Sequence, residues 1–264
     1  MVAGDAEFYA LVHEAKPHYP KDRWEFGKTI ASISRRRVSH PLRLLEVGAG
    51  NGAFLDQVRQ LPAGSDFTLV GADYDEGAVA ALESKGYGAV AGSVEEARRA
   101  LGQTPVDVVC MFQTLEHIAA IDEVLAGLTS VLRPSGSLFL SMPNAAAVIF
   151  QEKATHYWDM PPNHVGRWGP VAIRSAAESH GLRVAEIDLQ PVRVWATAWQ
   201  LAVYSVNARA YRPGTLEARC NRIAVRPLRG PLKRSLAVAC VPRLLRRRSE
   251  FQPLTVWAHL VAPP

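Results

Sequence analysis

Three short segments of this chain concentrate side chains capable of chemistry. EVGAGNG places Gly48, Gly50 and Gly52 at alternate positions, with Glu46 two residues ahead of the first. A turn built this way leaves little room for Cβ atoms and lets a ligand approach the backbone where a helix begins. Farther along, GADYD carries Asp73, and an acid closing the neighbouring strand can accept hydrogen bonds from both hydroxyls of a ribose. The second segment, QTLEHI, sets Glu116 beside His117. An imidazole, with an unperturbed pKa near 6.5, suits proton transfer at neutral pH, although the same His could instead cap the next helix or brace a pocket. The third is THYWDMPPNHVGRWGP, residues 155–170, with His156, His164, Trp158, Trp168, Tyr157 and Asp159 in one Pro-containing stretch. Aromatic and polar groups crowded into a loop are what a substrate pocket needs, and a loop held by aromatic packing is the alternative.

These groups need a scaffold that gathers them. From residue 42 the chain alternates short apolar runs with helix-like stretches. The runs are Leu42–Val47, Phe67–Ala72, Gly88–Ala91, Val106–Met111 and Ser137–Met142. Between them the pattern predicts helices over Gly52–Leu61, Glu76–Lys85, Val94–Leu101 and Ile118–Leu132. Strands apolar on both faces read as parallel strands covered by helices on either side, which predicts an α/β, doubly wound sheet. A helix over Val171–His180, a strand over Leu182–Leu189 and a last strand over Leu254–Val261 complete seven strands. Open α/β sheets bind ligands at the carboxyl ends of their strands, where Ser93, Val94, Phe112 and Gln113 fall. Residues 1–40 form a predicted helical cap, 41–190 the core, 191–252 a helical insertion and 253–264 the final strand and C-terminus.

Composition bounds the rest. With 264 residues, 48% hydrophobic and 21% charged, the chain is neither disordered nor fibrous. Cys110, Cys220 and Cys240 are dispersed, which argues against a disulfide framework and suits a reducing compartment. The opening MVAGDAEFYALVHEAK carries acids and a His where a signal peptide needs a basic flank and an apolar run, so a cytoplasmic location is expected. The net charge of +5 hides an asymmetry: residues 190–250 hold 13 Lys/Arg against Glu217 and Glu250. Such a block meets phosphate, an anionic membrane or an acidic partner, or is simply a solvated face. Nucleic acid is not expected, because no nucleic-acid-binding motif accompanies the charge.

Taken together, EVGAGNG, GADYD, VDVVCMFQTLEHI and LRPSGSLFLSMPN, spanning residues 42–144 in order, resemble the class I S-adenosylmethionine-dependent methyltransferases. The resemblance implies a Rossmann-like, mostly parallel seven-stranded sheet whose last strand, Leu254–Val261, runs antiparallel between strands five and six. It also implies S-adenosylmethionine as cofactor, with Glu46, Gly48, Ala49, Gly50, Asp73, Tyr74, Ser93, Val94 and Gln113 around it. The segments YPKDRWEF and PPNHVGRW resemble a bacterial subfamily linked to glycan or small-molecule tailoring. A nicotinamide-dependent reductase is disfavoured by the GxGxG spacing and by the lack of a Tyr-x-x-x-Lys pair.

Within that resemblance the expected reaction is O-methylation of a sugar or other small metabolite, a glycan or lipid-linked acceptor among them. His117 is the expected base, with Glu116 and His164 as further catalytic candidates. The alternatives are an N- or C-methyltransferase and a non-catalytic cofactor- or partner-binding subunit. Ubiquinone-pathway and small-RNA methyltransferases carry a related ExxEH element plus a later His that holds a divalent ion. Gln113 stands here in place of the first Glu and is a weaker ligand for a hard cation, so no metal is expected. For the basic insertion two expectations stand side by side. One is a peripheral membrane contact through residues 191–250; the other is a helical cover that also forms a homodimer contact.

Overall fold

Leu44 and Leu45 have no exposed surface, and every residue from Val106 to Phe112 is buried. Strands this apolar on both faces must be flanked by other strands and covered by helices. The computed structural model describes residues 20–35, 40–62, 66–102, 104–153, 161, 163–209, 214–216, 218 and 226–264. Among them the strands are β1 (Arg43–Val47), β2 (Thr68–Asp73), β3 (Gly88–Ala91), β4 (Val106–Phe112), β5 (Leu132–Pro143), β6 (Arg183–Leu189) and β7 (Thr255–Val261). They form one sheet in the order β3-β2-β1-β4-β5-β7-β6. The first five are parallel, and β7 is antiparallel to both of its neighbours, β5 and β6. That is the doubly wound arrangement expected, with the last strand in the expected place.

Helices α1 (Trp24–Ser34), α2 (Ala53–Arg59), α3 (Glu76–Ser84), α4 (Val94–Leu101), α5 (Ile121–Val131), α6 (Ala145–Lys153) and α7 (Pro170–Ser179) precede the longer α8 (Val194–Arg209) and α9 (Arg226–Leu245). The chain divides into two compact units by its contacts. The first comprises the described residues within Met1–Pro143, Pro161–Gln190 and Thr255–Pro264. The second comprises those within Asn144–Met160 and Pro191–Leu254. In the first unit, two apolar clusters lie on the sheet. One holds Leu45, Val109, Met111, Leu128 and Trp168; the other holds Leu44, Phe54, Val108, Phe139 and Trp257. Helix α1 belongs to the second cluster through Phe26, whose ring lies 5.3 Å from Phe54 and 5.2 Å from Phe112. The Trp257 indole N–H donates to Thr29 Oγ1 at 2.8 Å, which satisfies a buried donor. Of the expected cap, residues 1–19 and 36–39 lie outside the described residues.

Two element boundaries differ from the sequence expectation by three residues or more, each for a local reason. Strand β5 begins at Leu132 rather than Ser137, because Leu132 pairs with Val106 and Ser137 with Val108. The residues between loop out through Ser135 at φ +58°. Helix α5 begins at Ile121 rather than Ile118, because Leu115–His117 form a separate 3₁₀ turn. There the His117 amide donates to the Thr114 carbonyl at 3.0 Å. In the second unit α9 runs through Pro231 and Pro242. A proline inside a helix is costly, but the apolar stripe Leu236, Ala237, Cys240, Val241 and Leu244 packs on α8 and holds the helix together.

Candidate functional site

The glycine turn joins β1 to α2 with Gly48, Gly50 and Gly52 at φ +73°, +51° and +76°, a region that side chains disfavour. The amides of Gly48 and Ala49 both donate to the Ala72 carbonyl, at 2.8 and 3.1 Å, and clamp the turn to the end of β2. A Cβ on Gly48 would overlap Thr114 Oγ1, so the turn also lies directly against the segment leaving β4. Asp73 completes the arrangement: Oδ2 accepts the Gly50 amide at 2.8 Å and Oδ1 the Asp75 amide at 3.0 Å. Each carboxylate oxygen has a second lone pair with which to receive a hydroxyl.

Two acceptors in this turn region are buried without a donor, Glu46 Oε2 and Asn51 Oδ1. Burial drives the Glu46 carboxyl well above the usual carboxylate range; Arg23 opposes the shift, and Asp73 and Asp56 add to it. Orphaned acceptors beside a Cβ-free turn fit a ligand rich in donors, as the ammonium and ribose hydroxyls of S-adenosylmethionine are.

The other expected cofactor residues are placed as follows. Tyr74 is 73% exposed just past β2. Ser93 caps α4 in a capping box: its side chain accepts the Glu95 amide, and Glu96 accepts both its amide and its hydroxyl. Val94 is buried in the core cluster. Gln113 follows β4 at φ +50°, with its amide on the Ser141 carbonyl at 2.8 Å. Its side chain points toward Glu25 Oε1 at 3.4 Å and Ser141 Oγ at 3.5 Å. Sequence reasoning did not single out Arg23 or Glu25. Glu25 is 4% exposed, and Arg23 lies 3.7 Å from it. Their only signal was membership of YPKDRWEF; nothing local says that residue 25 meets residues 113 and 141.

Glu116, His117 and His164 come together at the end of β4. The Glu116 carbonyl accepts the Val165 and Gly166 amides at 2.9 and 3.0 Å, which pins the 163–168 segment against the 3₁₀ turn. His117 Nδ1 lies 2.7 Å from the Asn163 carbonyl oxygen. A carbonyl can only accept, so Nδ1 carries the proton and Nε2 is the basic nitrogen. The His117 and His164 rings meet edge to face at 4.6 Å. One ligand atom from each of Glu116, His117 and His164 lies within 4.8 Å of the others. All three expected catalytic side chains are therefore gathered, and they also form a possible cation cluster. Gln113, with its amide turned toward Glu25, adds no carboxylate to it. Thr155–Met160 and Pro162, including Trp158, lie outside the described residues.

Comparison with known proteins bears on this geometry. Residues 20–187 match the family described as "Methyltransferase domain". The mitochondrial ubiquinone biosynthesis O-methyltransferases of Bos taurus and Homo sapiens are 25% and 27% identical over 202 residues, 68% of this chain. The match covers 52% of each, so the chain spans about half the length of the curated relatives it matches. The crystal structure of a SAM dependent methyltransferase from Archaeoglobus fulgidus shares the fold, with a TM-score of 0.57 at 17% identity. That likeness covers 96% of this chain and 99% of that one.

Proposed function

The chain belongs to the methyltransferase-domain family of class I S-adenosylmethionine-dependent enzymes, and we propose that it methylates an oxygen of a sugar or other small metabolite. When bound, S-adenosylmethionine supplies an electrophilic methyl group. Glu46 and Asn51 offer acceptors to its ammonium, and Asp73 takes the ribose hydroxyls. Gly48 and Ala49 would hold the methionine portion, and Tyr74, Ser93, Val94 and Gln113 the nucleoside. His117 Nε2 accepts the proton of the acceptor hydroxyl. The imidazolium so formed keeps donating from Nδ1 to the Asn163 carbonyl, with Glu116 and His164 alongside.

The observation that carries the base assignment is the His117 Nδ1 contact with the Asn163 carbonyl, because it leaves the basic nitrogen on the other side of the ring. An oxygen acceptor is also the chemistry named for the curated relatives. The test is calorimetric titration with S-adenosylhomocysteine, followed by methyl transfer over a panel of sugars, phenols and amines. Binding and turnover on a hydroxyl that collapses in H117A supports the reading. Binding without turnover on any acceptor favours a non-catalytic subunit, and turnover on nitrogen or carbon that survives H117A replaces the oxygen assignment.

The gathering of Glu116, His117 and His164 supports a second reading, in which these three residues hold a divalent ion. The ion would acidify a bound hydroxyl, and His117 would act as ligand rather than base. We further propose that the chain divides at residues 40, 190 and 252 and that it is cytoplasmic. The division is tested by limited proteolysis, and the location by cell fractionation.

A further inference from the structure

The unit formed within Asn144–Met160 and Pro191–Leu254 differs in chemistry from the rest of the chain. It holds 14 Lys/Arg against four acids, a balance of +10, whereas the remainder holds 16 against 21, a balance of −5. Eight large hydrophobic side chains are exposed among the described residues, and six of them lie in this unit: Ile149, Trp195, Trp199, Leu216, Leu232 and Val238. Excess cation and excess exposed apolar surface thus coincide in less than a third of the chain.

Packing within the unit shows where these features meet. Ala198 and Leu201, in the first half of α8, share a cluster with Val241, Leu244 and Leu245 at the end of α9. Ala202 and Val206, farther along α8, pack with Leu236 and Ala237. The two helices are therefore antiparallel, and the start of α8 lies beside the end of α9. Trp195 and Trp199 are one turn apart on the outward face of that start, 71% and 39% exposed. Directly after the end of α9 come Arg246, Arg247 and Arg248, all exposed, with Glu250 paired to Arg247. One end of the helix pair thus presents two indoles beside a run of arginines. No helix among the described residues is long and apolar enough to cross a membrane.

We infer that this end of the α8–α9 pair docks on the surface of an anionic lipid bilayer. The indoles of Trp195 and Trp199 seat at the interface between headgroup and acyl chain, and Arg243 and Arg246–Arg248 face the lipid phosphates. Exposed Val238, two turns before the end of α9, favours hydrocarbon over nucleic acid, whose bases stack on aromatic rings but gain little from branched chains. This inference is independent of the methyl-transfer chemistry.

The full chain is sedimented with vesicles of phosphatidylcholine alone and with vesicles containing about one-third phosphatidylglycerol, at low salt and in roughly 0.5 M NaCl, where charges beyond a few ångströms are screened. The expected result is sedimentation with the anionic vesicles at low salt and little with phosphatidylcholine. W195A/W199A and R246E/R248E should each lower the bound fraction about five-fold or more. Circular dichroism and S-adenosylhomocysteine affinity, both at wild-type levels in these variants, establish that they fold. The inference is overturned if the wild type stays in the supernatant, or if W195A/W199A sediments as well as the wild type. It is equally overturned if the tryptophan pair proves to hold a homodimer, seen as a halved sedimentation mass in W195A/W199A without vesicles, or if single-stranded oligonucleotide displaces the vesicles. Failure of wild-type S-adenosylhomocysteine binding would instead remove the proposed function and leave the vesicle result standing.

Discussion

The Gly50 amide donates to Asp73 Oδ2 at 2.8 Å, joining residues 23 positions apart. Pairing of β1 with β2 sets Val47 opposite Ala72, so the glycine turn and the acid leave the sheet side by side. The carboxylate is thereby oriented before any ligand arrives, and orientation in advance lowers the cost of binding.

Asp73→Ala should therefore weaken S-adenosylhomocysteine binding by about 10- to 100-fold, since it removes charge-assisted acceptors and loosens the turn. Asp73→Asn keeps one acceptor oxygen and should fall between. Calorimetry on both variants checks this, and unchanged affinity in Asp73→Ala would remove Asp73 from the cofactor site.

His117→Ala should lower kcat by about 100- to 10,000-fold with little change in the Kd for S-adenosylhomocysteine. If Nε2 is the base, wild-type activity rises with pH on its acid limb, and the residual activity of the variant lacks that limb. Asn163 supports His117 through its backbone carbonyl. Asn163→Ala should accordingly preserve the limb, which separates the backbone contact from any role of the Asn163 side chain.

The cation cluster gives a clean opposition. With His117 as base, exhaustive chelation leaves turnover intact, and titration of the apo chain with Zn²⁺ or Mg²⁺ releases no heat. With Glu116, His117 and His164 as ligands, chelation abolishes turnover, restored metal recovers it, and His164→Ala raises the metal Kd.

Glu46 sets a pH dependence of stability. Its carboxyl is raised in the folded chain, chiefly by desolvation, so the folded state holds this proton more tightly than the unfolded state does. The resulting stability is fully present below the ordinary carboxylate range and is lost as pH rises through the raised folded value. Glu46→Gln removes the penalty and should raise Tm at pH 7 by about 3 °C without ligand, the gain vanishing near pH 4. The same variant should bind S-adenosylhomocysteine less tightly. A thermal melt series from pH 4 to pH 8 tests the sign; a lower Tm at pH 7 would contradict it.

Much of the scaffold was legible because periodicity and turn chemistry are local. Gly88–Ala91 and Val94–Leu101 were bounded as they stand, since Gly92 ends the strand at φ +121° and Ser93 opens the helix with its own capping box. The Leu132–Ser137 loop-out was not legible, because two β4 residues choose which β5 residues they pair with, and β5 alone carries no sign of that choice. Likewise, Glu25 meets Gln113 and Ser141 only once α1 has packed Phe26 against Phe54 and Phe112.

By itself the amino-acid order determined the alternation of strands and helices, the Cβ-free turn after β1 and the identity of the acids and histidines at strand ends. Those properties follow from side-chain size, backbone freedom and hydropathy, which act over a few residues. Tertiary structure decided which of these groups touch: that Asp73 grips the Gly50 amide, that Asn163 sets the His117 proton on Nδ1, and that the start of α8 packs beside the end of α9. Distances between groups far apart in sequence are set by sheet register and helix packing, and these are fixed by the burial of the whole core rather than by any one segment.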